Sequence, residues 1–105
     1  MIDFSDNFLI ELKKLSKKFR QIKTDLKKSI QEIENDSLGI SIGNHLYKKR
    51  VPNSSIPTGK RGGFRIIIFH KLQNRITLVS IYSKTDKENL TDYELKKILE
   101  EVKFI

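Results

Sequence analysis

Cationic side chains are concentrated in one third of the chain. Residues 44–75 include eight Lys or Arg and no Asp or Glu, whereas the other 73 residues hold 13 cations and 13 acids. The whole formal net charge of +8 therefore comes from one contiguous stretch. Because a surface that serves only solubility usually mixes both signs, this distribution favours a polyanion-binding surface, and nucleic acid is the expected polyanion.

Two of these cations alternate along a segment that is typical of a β-strand. In LYKKRV, Lys48 and Arg50 fall on one side of an extended chain, while Tyr47, Lys49 and Val51 fall on the other. The side that carries Lys48 and Arg50 is therefore a candidate phosphate-binding face.

Two stronger strand segments follow, FRIIIFHKL and ITLVSIYSK, joined by the short connection QNR. Their β-branched and aromatic content predicts an antiparallel hairpin. Three paired strands would place guanidinium and ammonium groups around a phosphate. In that arrangement Tyr82 would stack on a base or transfer a proton, or alternatively pack as an ordinary strand aromatic. The candidate catalytic residues are Lys48, Arg50, Arg65, Tyr82 and Lys84.

These residue types suit one part of RNA cleavage better than the others. The reaction needs activation of a 2′-hydroxyl, stabilisation of a dianionic phosphorane and protonation of the leaving oxygen. Lys and Arg supply the second directly. They would serve the other two only if crowding by like charges lowers a lysine pKa, or if the substrate or a larger assembly supplies the missing group.

Histidine and metal chemistry are less well supported. His45 and His70 are the only histidines; His70 shares an apolar strand side and is interpreted as structural, while a site role for His45 stays open. The acids cluster in predicted helices, and no set of histidines or carboxylates has metal-ligand spacing. We therefore expect neither a metal ion nor another cofactor.

A basic glycine loop precedes the first strong strand. In PNSSIPTGKRGG, Lys60 and Arg61 lie beside two glycines that allow close approach of a chain or ligand. The loop is not a nucleotide-binding Walker motif, because GxxxxGK[ST] and its strand-loop-helix context are absent. The candidate residues for binding RNA or the ribosome are Lys49, Lys60, Arg61, Lys71 and Arg75.

Helical segments flank the predicted strands. Apolar residues between Phe8 and Ile33 recur at steps of three and four, but one helix from Asp6 to Asp36 would be about 46 Å long, so a break near Arg20 to Thr24 is expected. Ser5 is expected to cap the first helix, and Thr24 or Asp25 the second. LGISIGNHL marks the exit from this hairpin. In LTDYELKKILEEV a capping-box spacing, T-x-x-E, predicts a final helix.

The predicted fold is a single α+β domain spanning residues 1–105: a small antiparallel sheet packed by an N-terminal helical hairpin and a C-terminal helix, with residues 1–3 as a candidate outer strand. The chain has no cysteine, no cationic lead typical of a secretory signal, and no apolar run long enough for a bilayer. A cytoplasmic protein that does not bind membranes is the expectation.

The segments KKRV, GKRGGFRIIIF and ITLVSIYSKTDKENLTDYELKKIL resemble the RelE/HigB group of bacterial type II toxins, within the RelE/ParE superfamily. That branch carries a K-x-R strand, a GK-[RS]-GG-x-R loop and a Y-x-K-x-x-x-E-D/N-L ending. The resemblance covers most of the chain and is strongest from Leu46 to Leu99.

The resemblance implies a microbial RNase-like fold, with helices on one face of the sheet and a basic cleft on the other. It also implies cleavage of mRNA in the ribosomal A site, and neutralisation by a cognate antitoxin of the helix-turn-helix HigA-like or RelB-like kind. By motif position, Arg65 and Lys48 would bind or stabilise phosphate, Tyr82 would stack a base or assist proton transfer, and Lys84 is a further phosphate candidate.

Two other functions compete with this hypothesis. A ParE-like toxin of the same fold would poison DNA gyrase by protein contact and would need few catalytic cations, which the dense basic face argues against. A non-catalytic RNA-binding or regulatory module would bind RNA with a steep salt dependence but would be harmless when expressed.

Overall fold

The computed structural model describes residues 1–55, 63–71 and 73–104. Within these ranges the chain forms three helices and five strands, which confirms the predicted α+β class. In chain order the elements are β1 (Ile2–Phe4), α1 (Asp6–Lys18), α2 (Ile22–Glu34), β2 (Ile40–Gly43), β3 (Leu46–Val51), β4 (Phe64–Phe69), β5 (Ile76–Ser83) and α3 (Asp92–Val102).

The five strands form one sheet in the order β1-β5-β4-β3-β2. The three predicted central strands pair antiparallel, as expected. The candidate outer strand is also present, but β1 runs parallel to β5, so the sheet is mixed rather than purely antiparallel. The short β2 was not predicted; it pairs with β3 and forms the far edge of the sheet.

Helices α1 and α2 cover one face of the sheet with the apolar stripe seen in the sequence. Ser5 caps α1 as predicted, because its side chain accepts a hydrogen bond from the Phe8 amide. The predicted break is also present, since Phe19 is extended and α2 begins at Ile22. The predicted side-chain cap of α2 is wrong: Gln21 occupies the cap position without a side-chain hydrogen bond.

Asp25, one of the two expected capping residues, serves a different purpose. Its carboxylate accepts hydrogen bonds from the backbone nitrogen of Ser54 at 3.0 Å and from the Ser54 hydroxyl at 3.1 Å. The side chain therefore fastens the chain just after β3 to the helical hairpin, which steadies the start of the segment that leads to β4.

Helix α3 lies against the opposite face of the sheet. Thr91 and Glu94 form the predicted capping box, and Ile98 and Val102 pack in one apolar cluster with side chains of β3, β4 and β5. The resemblance implied helices on one face and a basic cleft on the other, and the position of α3 corrects only the first part, because this helix lies on the second face. The second face is divided between a part covered by α3 and an end that carries the cationic side chains.

Candidate phosphate-binding site

Three predicted site residues form a row across three neighbouring strands. Arg50 of β3 pairs directly with Arg65 of β4, and Arg65 pairs directly with Tyr82 of β5. Neighbouring strands lie about 4.8 Å apart, so the three α-carbons span roughly 10 Å. Directly paired residues point to the same face, which places both guanidinium groups and the phenol together without any loop to position them.

Two lysines flank this row on the same face. Lys48 precedes Arg50 by two residues in β3, and its Nζ donates a hydrogen bond to Asn89 Oδ1 at 3.0 Å. Lys84 follows Tyr82 by two residues, and its backbone nitrogen donates to the Gly63 carbonyl at 3.0 Å. We refer to Lys48, Arg50, Arg65, Tyr82 and Lys84 together as the cationic row.

Gly63 allows the end of β3 and the start of β4 to approach each other closely. A Cβ at this position would lie only 1.9 Å from the Val51 carbonyl oxygen, far inside a normal contact. Gly63 is therefore required by the packing of β3 against the start of β4.

Arg65 is a buried cation held next to a second cation. Only 4% of its surface is exposed, and its guanidinium donates to its neighbour's carbonyl, Phe64 O, at 3.1 Å. Burial lowers the pKa of Arg65, the adjacent charge of Arg50 lowers it further, and Tyr82 acts in the opposite direction. The guanidinium stays protonated at neutral pH, so the fold keeps two like charges close together.

Tyr82 is buried at the other end of the same pairing. It is 3% exposed, and its hydroxyl has no hydrogen-bond partner among the described residues. Burial raises the pKa of Tyr82, whereas the charge of Arg65 lowers it. The phenol is therefore neutral at physiological pH and can donate a proton. Lys87 Nζ lies 5.5 Å from its ring centroid and is ion-paired with Glu94 of α3.

Lys49, predicted to bind RNA or the ribosome, does not join the cationic row. It points to the face covered by α1 and α2, is 5% exposed, and lies 3.5 Å from the Glu32 carboxylate and 3.3 Å from the Ser37 hydroxyl. Strand alternation is the physical reason, because neighbours of Lys48 and Arg50 must face the other way. We therefore leave Lys49 out of the site.

The remaining predicted residues lie elsewhere. Lys71 and Arg75 flank the β4–β5 turn, at the opposite end of β4 from Arg65 and more than about 13 Å along the strand. Arg75 is ion-paired with Asp3 at 2.9 Å. Lys60 and Arg61 lie outside the described residues.

Neither histidine lies at the cationic row. His45 is in the β2–β3 turn with its ring 6.3 Å from Phe69, and His70 follows the end of β4, with Nε2 3.3 Å from Gln73 O. Both therefore belong to the end of the sheet that is remote from Arg65. The described part of the chain contains no group of three or more His, Cys, Asp or Glu side chains that could hold a metal ion.

Two residues beside the row were missed by sequence reasoning. Asn89 contacts Lys48, and Lys87 lies over Tyr82 while pairing with Glu94. Both belong to TDKENL, a polar connection whose composition resembles any solvent-exposed loop. Two signals were available: Asn89 occupies the D/N position of the Y-x-K-x-x-x-E-D/N-L ending, and the connection must carry the chain from the end of β5 to α3 across the cationic face.

A comparison with protein families identifies the family to which the chain is similar. A family model described as the RelE toxin of the RelE / RelB toxin-antitoxin system matches residues 10–104, which covers nearly all of the chain and every member of the cationic row. A comparison with curated proteins at the level of individual sequences found no match. No helix among the described residues has both the length and the apolar character that a membrane span requires.

Proposed function

The chain belongs to the RelE family of toxins of toxin-antitoxin systems, and from this premise we propose that it is a ribosome-dependent endoribonuclease. It would cleave mRNA without a metal ion or other cofactor, and would thereby inhibit translation. Placement in the HigB branch, suggested by the K-x-R and GKRGG segments, stays a prediction.

The observation that carries the proposal is the direct pairing of Arg50 with Arg65 beside Tyr82. Two like charges at directly paired positions repel each other, and an anion bound between them would relieve that repulsion. The buried position of Arg65 means that its charge acts in a poorly screened environment. A phosphodiester in contact with both arginines would be oriented as well as neutralised.

The chemistry that fits this row is transesterification at phosphorus. The 2′-oxygen forms a bond to the phosphorus while the bond to the 5′-oxygen breaks, giving a 2′,3′-cyclic phosphate. Arg50, Arg65 and Lys48 would hold the charge that develops on the phosphorane oxygens. Tyr82, kept neutral by burial, would donate a proton to the departing 5′-oxygen or stack on a neighbouring base. The proton of the 2′-hydroxyl would pass to a group supplied by the substrate or the ribosome.

Toxins of this family are paired with an antitoxin. We propose that the partner of this chain is a helix-turn-helix HigA-like or a RelB-like protein with an acidic segment that covers the cationic row. An adjacent small gene encoding such a protein would agree with this, whereas a neighbour with a basic segment would not.

The activity is tested with ribosomes translating a defined mRNA in a purified system, with cleavage mapped by primer extension. Arg50→Gln and Arg65→Lys should each lower the cleavage rate about 10²- to 10³-fold, the usual effect of removing one donor to a transition-state oxyanion. Lys23→Gln, an exposed residue of α2 on the opposite face, is the matched control and should cleave at the normal rate.

Two results would replace the proposal. Arrest of growth with intact mRNA and DNA damage signalling would favour the ParE-like alternative, in which the target is DNA gyrase. Salt-dependent RNA binding by a protein that neither cleaves mRNA nor arrests growth would favour the non-catalytic module. Cleavage of free mRNA at an equal rate without ribosomes would refute the dependence on the ribosome.

A further inference from the structure

The proposed proton donor of the cationic row is covered in the free protein. Tyr82 is 3% exposed, and its hydroxyl oxygen is buried without a hydrogen-bond partner among the described residues. A phenol that protonates a leaving oxygen or stacks on a base must touch the substrate. Either role therefore requires the groups that lie over Tyr82 to move aside when RNA binds.

Part of this cover is the connection between β5 and α3, TDKENL (residues 85–90), which we call the strap. Lys87 Nζ lies 5.5 Å from the ring centroid of Tyr82. Asn89 and Leu90 line a small cavity together with Tyr82 and Lys48. The strap therefore lies over the phenol and next to one of the cations that are proposed to bind phosphate.

Side-chain contacts, rather than strand pairing, hold the strap in place. Among the described residues, its backbone forms hydrogen bonds only with Ser83, in the turn that follows β5. Near the cationic row, Lys87 is ion-paired with Glu94 of α3. Asn89 Oδ1 accepts a hydrogen bond from Lys48 Nζ at 3.0 Å. The middle of the strap is thus fastened to the domain by two side-chain contacts.

These contacts are weak enough to break. The hydrogen bond of Asn89 is exposed to solvent. The side chains of the Lys87–Glu94 pair are 31% and 33% exposed. A third contact, between Lys18 and Asp86, is more than half exposed on both sides. Because water screens and competes for such groups, each contributes little to the closed arrangement, and the strap can open without unfolding the domain.

Phosphate binding would break one of these contacts directly. In the free protein the Lys48 ammonium donates to the neutral amide oxygen of Asn89. In the proposed reaction the same ammonium contacts a phosphate, which is charged and is therefore a stronger acceptor. A phosphodiester on the cationic row competes with Asn89 for Lys48, so its binding favours the open strap.

We propose that the strap closes the site in the free protein, and that RNA bound at Lys48 releases the strap and uncovers Tyr82. Helix α3 stays packed on the sheet through its apolar cluster, so the movement is confined to the strap. Asn89 and Lys87 act only by holding the strap, which makes them positioning residues. The inference rests on the proposed function, because that function brings Lys48 and Tyr82 to the same phosphodiester.

The first test measures the cover of Tyr82 and does not depend on cleavage. Tetranitromethane nitrates accessible tyrosines, and mass spectrometry of peptides identifies the residues that have reacted. Tyr93 of α3 is 66% exposed and serves as the internal reference. We expect Tyr82 to react far more slowly than Tyr93 in the free protein. Inorganic pyrophosphate, a small anion that carries phosphate groups without a base, should raise the Tyr82 rate several-fold and leave the Tyr93 rate unchanged.

Substitutions in the strap should open it without pyrophosphate. Asn89→Ala removes the contact with Lys48 and should speed nitration of Tyr82 about two- to tenfold, the effect of one hydrogen bond on the balance between the closed and open strap. Pyrophosphate should then add little, because the contact that it breaks is already absent. Lys87→Met should also speed nitration, through loss of the pair with Glu94.

An ion pair outside the strap provides the matched control. Lys103→Met removes an exposed pair with Glu100 at the end of α3 and should leave the nitration rate of Tyr82 unchanged. Lys87→Met and Lys103→Met each delete one ammonium group paired with a glutamate of α3, so they change the net charge equally. Only Lys87 belongs to the strap.

Three results would overturn the inference. Nitration of Tyr82 as fast as that of Tyr93 in the free protein would show that Tyr82 is not covered. A Tyr82 rate that neither strap substitution changes would show that other groups cover it. An equal response to pyrophosphate in Asn89→Ala and in the wild type would refute release through Lys48.

Cleavage kinetics separate the inference from the function it rests on. Because only the open strap would admit RNA to Tyr82, Asn89→Ala should raise kcat/KM for ribosome-bound mRNA about two- to tenfold and leave kcat unchanged. An unchanged kcat/KM would refute the strap as a barrier. A covered Tyr82 that responds to pyrophosphate, in a protein that never cleaves mRNA, would refute the endoribonuclease and retain the strap. Normal cleavage by a protein whose Tyr82 is freely nitrated would refute the strap and retain the endoribonuclease.

Discussion

Lys48 and Lys49 are neighbours in β3 that serve opposite faces of the sheet, and they provide a matched pair of substitutions. Lys48→Met removes a cation from the cationic row together with the hydrogen bond to Asn89. Lys49→Met removes an ammonium group buried between the sheet and α2, where it lies 3.5 Å from Glu32 and 3.3 Å from Ser37. Methionine keeps most of the apolar stem in both cases.

The two changes should have opposite consequences for activity. Lys48→Met should lower ribosome-dependent cleavage about 10²-fold, because it deletes one donor to the phosphate. Lys49→Met should leave the rate within about twofold, since its side chain cannot reach a ligand on the other face. Replacing a buried, paired charge by an apolar side chain of similar volume is often neutral, so the free energy of unfolding should change by less than about 1 kcal/mol.

Removing the ionic partner of Lys49 tests how much the buried ion pair contributes to the free energy of unfolding. Glu32→Gln replaces the carboxylate beside the buried ammonium with a neutral amide, so the charge of Lys49 loses its ionic partner, which is unfavourable. Breaking a fully buried pair costs about 3–5 kcal/mol, but the Glu32 side chain is 37% exposed, so solvent screens the pair and we expect roughly 1–2 kcal/mol. The double variant with Lys49→Met should recover most of this loss.

Cleavage rates and urea unfolding of the same preparations decide the question. If Lys49→Met loses cleavage as strongly as Lys48→Met while its unfolding curve matches that of the wild type, Lys49 contacts RNA and its assignment to the inner face is refuted. If Lys48→Met cleaves at the wild-type rate, Lys48 does not belong to the phosphate site.

Three further predictions concern the scaffold around the site. Gly63→Ala should cost at least about 3 kcal/mol in urea unfolding, because its Cβ would collide with the Val51 carbonyl; an unchanged midpoint would contradict the close approach of β3 and β4. Thr91→Ala should cost about 1 kcal/mol through loss of the capping box of α3, and Thr91→Ser should restore most of it. Burial raises the pKa of Glu11 above the ordinary 4.5, so the native state binds its proton more tightly than the unfolded chain does, and ionised Glu11 weakens the fold at neutral pH. Glu11→Gln should therefore have the higher urea midpoint at neutral pH, with a difference from the wild type that shrinks as the pH falls toward 4.5; a difference that grows would refute this sign.

The periodic features of the fold were predictable from the sequence because each has a local physical cause. The apolar stripe from Phe8 to Ile33, the cap at Ser5 and the capping box at Thr91 depend on residues within one or two turns of each other. The same holds for the alternation that puts Lys48 and Arg50 on one face. The same alternation also indicates that Lys49 faces away from Lys48 and Arg50, because Lys49 shares its side of the strand with the apolar Tyr47 and Val51.

Other features depend on pairings between distant segments and could not be read locally. All four residues of β2, ISIG, are exposed, Gly39 precedes it and Gly43 ends it, so its brief alternation of Ile and Ser was too short to predict a strand; the pairing with β3 creates it. The direct alignment of Arg50, Arg65 and Tyr82 is a matter of register, which the hairpin connection alone does not determine. The face on which α3 packs follows from how TDKENL crosses the sheet, and the contact of Asn89 with Lys48 follows from that crossing.

The pairing of β1 with β5 has a consequence for how the protein is made. Ile2 pairs with Ile76, so the first strand to be synthesised has no partner in the sheet until the last strand has left the ribosome. The cationic row has the same order in time, because Arg50 and Arg65 emerge before Tyr82 and Lys84 complete the row. The site therefore stays unfinished until β5 has emerged from the ribosome. For the proposed activity, the order of the strands itself delays the appearance of the finished site until the last strand of the sheet has been translated.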